Sequence, residues 1–215
     1  MFSKSNLLRG LGLTVVLVLC YFIPNHFVLF TPHSVVLTRF DALVPLSPEW
    51  VWFYVSYYPL LVAAYFLTTG HPAQRVYVRA MALAASIGFF IFLFFPTTIP
   101  RELYPWTGPY GRSADLLEYV RRADKSVNCL PSMHVALSFI SASAISLVFG
   151  WRARAFVWLL FIGIVYSTMA TKQHYFVDLV AGFALAVTVF AIEVRREGPT
   201  RQSEIETKKP ARVQA

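Results

Sequence analysis

His174 and Asp178 stand four residues apart in the stretch TKQHYFVD, a spacing that puts both on one helix face if the last span is already helical there. A carboxylate that accepts one imidazole N–H sets the ring's tautomer and leaves the other nitrogen free to react. A second histidine, His134, follows Pro131 and Ser132 in NCLPSMHVALS, at the mouth of an apolar segment. Two cations accompany them, Lys172 two residues before His174 and Arg101 in FPTTIPRE. Two histidines, an aspartate, a serine and cations suit phosphoryl transfer. Cations and the N–H groups of a helix start hold phosphate oxygens. One histidine attacks phosphorus while the other protonates the leaving alkoxide. The same histidines and aspartate are zinc ligands by type, but Lys172 and the nearby arginines would repel a dication, so no metal and no other cofactor is expected. Plainer roles stand beside these. Pro131 and Ser132 suit any helix start, and Asp178 suits a first helical turn, where the dipole favours an anion.

The elements that must carry these residues are membrane helices. Of 215 residues, 57% are hydrophobic and 14% charged, against about 25% charged in soluble domains. Six segments approach the roughly 20 apolar residues of a span: Leu11–Phe30, Val51–Thr69, Ala80–Ile99, Ser132–Gly150, Ala155–Thr171 and Tyr175–Val194. The first lacks a small-residue cleavage site and reads as a retained span. Trp50, Trp52, Tyr54, Tyr57 and Tyr58 open the second span and read as an interfacial aromatic belt. Alanines and serines along the fourth let neighbouring helices approach closely, which makes it central. Cys20 and Cys129 fit neither a disulfide framework nor a zinc site.

Lys4 and Arg9, Arg75 and Arg79, Arg152 and Arg154, and the basic C-terminal stretch all fall on one side of a six-span chain. The positive-inside rule makes that side cytoplasmic, with both termini in it. FPTTIPRE, NCLPSMHVALS and TKQHYFVD then share the opposite, outer side. The net charge of +8 follows from this lipid-facing distribution, so nucleic acid is not an expected partner. In the third-to-fourth loop, Leu116, Leu117 and Val120 recur at helical spacing with Ser113 as a candidate cap. They predict a short amphipathic helix lying at the outer interface. Its arginines suit either guidance of anionic head groups or a solvated face.

At these residues the chain resembles the type 2 phosphatidic acid phosphatase, or lipid phosphate phosphatase, superfamily. Pro131-Ser132-Met133-His134 is similar to the family's Pro-Ser-Gly-His motif, with Met133 in place of glycine. The run from Ser167 through His174 to Asp178 is similar to its Ser-Arg-x5-His-x3-Asp motif, with Thr168 in place of arginine. The family's Lys-x6-Arg-Pro motif is absent, and Arg101 alone stands near its place. These departures look closer to the branch of inositol phosphorylceramide and sphingomyelin synthase-like transferases. The resemblance implies that His174 is the nucleophile, that Asp178 orients it and that His134 protonates the leaving alcohol. It also implies that Ser132, Arg101 and Lys172 bind phosphate, Lys172 supplying the charge lost at Thr168. The expectation is an all-α, polytopic, six-helix membrane enzyme (residues 1–194) with a basic, disordered cytoplasmic tail (residues 195–215). It would hydrolyse a lipid phosphate or diphosphate without metal. A phosphotransferase and a non-catalytic lipid binder or transporter are the alternatives. Its partners are the lipid substrate and membrane lipids, and the oligomeric state stays open.

Overall fold

A computed structural model describes residues 3–109 and 111–207 of the chain. In chain order the helices are α1 (Lys4–His26), α2 (Arg39–Leu43), α3 (Val51–Val55), α4 (Tyr57–Leu67), α5 (Pro72–Phe94), α6 (Arg112–Ala123), α7 (Met133–Val148), α8 (Trp151–Ala170) and α9 (Phe176–Thr207). Five stretches are long and apolar enough to cross a membrane: α1, Pro48–Leu67 (a 3-10 turn followed by α3 and α4), α5, α8 and α9 through Gly198. The expected fourth span, α7, is a shorter apolar helix of 16 residues. At 1.5 Å per residue it is about 24 Å long, less than a bilayer's hydrocarbon core.

Caps, rather than hydropathy, place the helix ends. Ser3 accepts from the Asn6 N–H and starts α1 seven residues before the expected Leu11. His71 accepts from the Ala73 N–H, and with Pro72 at the first position α5 starts before its first basic turn. Pro24 lies inside α1, which ends at His26. α9 continues as helix to Thr207, past the expected boundary at Val194. Residues 208–215 of the basic tail lie outside the described residues. Arg75 and Arg79 at the start of α5 pair with Glu197 of α9 at 2.5 and 3.4 Å, which puts those two helix ends side by side.

α7 is the centre of the bundle. It packs against α4, α5, α8 and α9, and twelve of its sixteen residues are buried. Three of its four serines bond to their own helix. Ser141 and Ser146 donate to the carbonyls of Leu137 and Ala142 four residues back at 2.8 and 2.7 Å, and Ser138 does the same to His134. These bonds satisfy polar groups that have no water to turn to. The loops at the His134 end are tied by a two-residue parallel pairing of β1 (His33–Ser34) with β2 (Thr97–Thr98), extended by a bridge from Thr97 to Asn128.

Candidate active site

Ser132 ends the loop before α7 and caps it, its Oγ accepting from the Val135 N–H at 3.4 Å. The first backbone bond of the helix runs from Ala136 to the Ser132 carbonyl. The N–H groups of Met133 and His134 therefore precede the ladder, as the first N–H groups of any helix do. The Ser132 N–H itself donates to the Asp178 carbonyl at 3.0 Å. Gly182, one turn further along α9, makes this approach sterically feasible. A Cβ there would lie 2.3 Å from the Ser132 carbonyl oxygen. The two motifs are thus joined through backbone, with His134 on one side of the junction and His174 on the other.

The turn that carries His174 closes α8. Lys172 and Gln173 donate their N–H groups to the carbonyls of Met169 and Thr168, a Schellman closure in which residue 172 is left-handed, φ 55°. Glycine usually fills that position, and another residue there is strained by about 1–3 kcal/mol. The Lys172 side chain offers a compensation. Its ammonium donates to the Asp41 carbonyl at 3.0 Å and to the Val44 carbonyl, and lies 5.1 Å from the Tyr104 ring centre. Burial lowers its pKa below the usual lysine range, and Asp41 offsets part of that. The structure ties Lys172 to Asp41 and Val44 in the stretch after α1. Thr168 likewise turns back onto its own helix, donating to the Val165 carbonyl at 2.8 Å.

Asp178 caps its helix and faces His174, whose Nδ1 is buried without a hydrogen-bond partner. Its Oδ2 accepts from the Tyr175 N–H at 2.8 Å, the reach-back bond of a third-position acid at a helix start. The same oxygen lies 3.5 Å from His174 Nδ1, while Oδ1 is buried without a hydrogen-bond partner. Asp41, which the sequence reading passed over, accepts from the Phe176 N–H at 2.7 Å and fixes the same turn from outside. Its only sequence signal is that it is an acid in an apolar loop.

The rings of His134 and His174 are 5.7 Å apart, centre to centre. Tyr54 stacks on His134 at 4.2 Å, and Tyr57 lies tilted against it at 4.4 Å. The expected aromatic belt is therefore split. Trp52 and Tyr58 are exposed, while Tyr54 and Tyr57 turn inward and wall the histidine. Trp52 donates its ring N–H to Ser113 at 3.0 Å, so Ser113 ties α6 down, and Gly111 occupies the cap position instead. Met133, where the family motif has glycine, rests on Gly88 of α5, whose added Cβ would sit 2.9 Å from the Met133 sulfur. The volume gained on α7 is matched by volume absent on α5.

Arg101 lies within electrostatic reach of His134. It donates to the Asp124 carbonyl and pairs with that carboxylate at 3.7 Å, and its Nε is buried without a partner. Arg121 on α6 donates to the carbonyls of Tyr104 and Thr171 at 3.1 and 3.0 Å. Burial, and after it the neighbouring Arg101, hold Arg121 below the ordinary guanidinium range. Among the described residues, no three His, Cys, Asp or Glu side chains converge as a metal site would require. Beside His134 opens a cavity of about 730 Å³, walled mainly by α1, α4 and α6 with side chains of α3, α5 and α7.

Residues 26–192 match the sequence model of the PAP2 superfamily, a span that holds both histidine motifs. The chain belongs to the PAP2 superfamily. Neither the curated proteins nor the solved structures give a match to it. As a PAP2 chain it falls among phosphatases and related phosphotransferases. Met133 and Thr168 stand where the motifs it resembles have glycine and arginine.

Proposed function

We propose that the chain is a membrane phosphatase of a lipid phosphate or diphosphate, working without metal through a phosphohistidine. The observation that carries this reading is the pair of buried rings, His134 and His174, 5.7 Å apart, with His134 lining an apolar cavity. A nucleophile must come within about 3–3.5 Å of phosphorus, and a proton donor within about 2.6–3.2 Å of the leaving oxygen. Two rings at this separation can flank one phosphoryl group. In this reading Asp178, 3.5 Å from His174 Nδ1, closes on it when substrate binds and holds its proton, which leaves Nε2 with its lone pair. Nε2 attacks phosphorus as the P–O bond to the lipid alcohol breaks, and His134 gives its proton to the departing oxygen. Neutral His134 then takes a proton from water, which attacks the phosphohistidine, releases phosphate and restores His174. Arg101, Ser132 and the free N–H groups at the start of α7 stabilise the phosphoryl oxygens. Lys172 acts through the turn it holds.

The same reading places the site on the outer side, with six spans and both termini in the cytoplasm. Pairing of the α5 start with the α9 end supports an even number of crossings. α6 would lie along the outer interface, because Leu116 and Val120 line the cavity while Arg122 and Glu118 are exposed. A transferase is the second reading, favoured by the departures at Met133 and Thr168. In it an alcohol resolves the phosphohistidine.

The test is phosphate release from a lipid phosphate by the purified protein in detergent, with and without an alcohol acceptor. Free phosphate in both arms is expected. Turnover only with acceptor, without free phosphate, selects the transferase. No turnover in either arm leaves a lipid binder.

A further inference from the structure

α1 meets the rest of the bundle in an uneven way. It packs along α5, but it meets α4 and α6 at its ends. Near its start, Tyr65 of α4 donates to the Asn6 carbonyl at 2.5 Å. The Tyr65 ring lies against Gly10, where an added Cβ would meet it at 2.9 Å. Near its other end, Tyr21 and Asn25 donate to Asp124 at 2.7 and 3.1 Å. Between these two clasps the 730 Å³ cavity separates α1 from α4, with Leu17 on one wall and Leu61 on the other. From Gly10 to Tyr21 the slot runs about 16 Å along the helix axis. Its ionisable lining groups other than tyrosine and Cys20 are His134 and Asp124, the latter held by Tyr21 and Asn25 and paired to Arg101. Toward Tyr65 the lining is leucine, valine and aromatic side chains. Water finds few partners in such a space.

We infer that the slot between α1 and α4 binds a hydrocarbon chain of the lipid substrate. The chain runs from His134 down to Tyr65, which forms the floor and limits its length. This rests on the proposed lipid phosphate chemistry at the histidines. The slot's asymmetry names the occupant: a molecule with an anion at one end and a long apolar body. A phosphoryl group held between His134 and His174 leaves its apolar body directly beside the slot opening. The lateral gap between α1 and α4 gives that body a way in from the bilayer.

Leu17→Trp and Leu61→Trp fill the slot from opposite walls. The measurement is kcat/KM for lipid phosphates of one head group and increasing chain length. In the wild type, kcat/KM should rise with chain length and then level off. In each variant the long-to-short ratio should fall roughly tenfold or more, the scale on which a blocked apolar pocket discriminates. An equal loss on long and short chains, or no loss on either, overturns the tail site. A photoactivatable long-chain alkyl phosphate tests it independently of turnover. Label on α1 and α4 peptides, lost in Leu17→Trp, is expected, and label elsewhere overturns the inference. If the wild type turns over no lipid phosphate yet labels α1 and α4, the phosphatase reading fails and the slot stands.

Discussion

α7 and α1 are both apolar helices, yet the bundle treats them in opposite ways. α7 is buried at twelve of sixteen residues, α1 at three of twenty-three. α7 carries alanines and serines that let four helices approach, and its first turn is bonded to α9 through backbone. α1 carries bulky residues such as Leu11, Leu19 and Phe22 that stay exposed, and polar clasps hold its two ends. The difference teaches where geometry is fixed and where room is left. Chemistry needs its groups held within fractions of an ångström, and it sits where helices interlock. A substrate body needs space and a way in, and it finds them beside the helix that interlocks least.

The sharpest break of the fixed side is His174→Ala. It should abolish turnover, because no nucleophile remains to form the phosphohistidine. The check is phosphate release together with loss of acid-labile phosphate on the protein, and label surviving on His134 would reverse the assignment. His134→Ala should lower kcat by about 100- to 10,000-fold, the usual range for a lost general acid. The loss should shrink for aryl phosphates, whose leaving group needs no proton, and equal losses for alkyl and aryl esters would contradict the acid role.

Gly182→Ala probes the interlock itself. The added methyl would meet the Ser132 carbonyl oxygen at 2.3 Å, and backbone cannot rotate away as a side chain can. Overpacking of this kind costs about 1–3 kcal/mol, and a displacement near 1 Å can lower the rate about 100-fold. Thermal unfolding and kcat measured together separate the two effects. A wild-type rate would show that the junction of α7 with α9 does not set the histidine spacing.

The smallest effect belongs to the loose side. Tyr21→Phe removes one hydrogen bond to Asp124 and should cost about 0.5–1.5 kcal/mol. It should change KM for long-chain substrates more than kcat, since it loosens α1 and leaves the histidines in place. A larger change in kcat than in KM would place Asp124 and Arg101 nearer the chemistry than α1.

Much of this was legible in residue types and local spacing. The four-residue interval from His174 to Asp178 marks them as neighbours, but α9 begins only at Phe176, so the pair meets across the turn that enters the helix and not on a shared helix face. Apolar runs mark the helices, the small residues of α7 mark its central place, and the two histidine stretches carry the family's pattern. Ser132 as a cap was legible too, since capping is a contact within four residues.

What only the tertiary structure decided depends on contacts between helices, which no local period encodes. Lys172 reads as a phosphate ligand by charge and proximity in sequence. Only the fold shows its left-handed backbone and its bonds to the carbonyls of Asp41 and Val44, which make it a clasp of the turn. Tyr54 and Tyr57 read as part of a belt with Trp52 and Tyr58, and helix rotation divides them between the histidine and the surface. Met133 reads as an intrusion on a glycine position until Gly88 is seen beneath it. The slot along α1 has no sequence signature, because it is the space left where two apolar helices meet only at their ends.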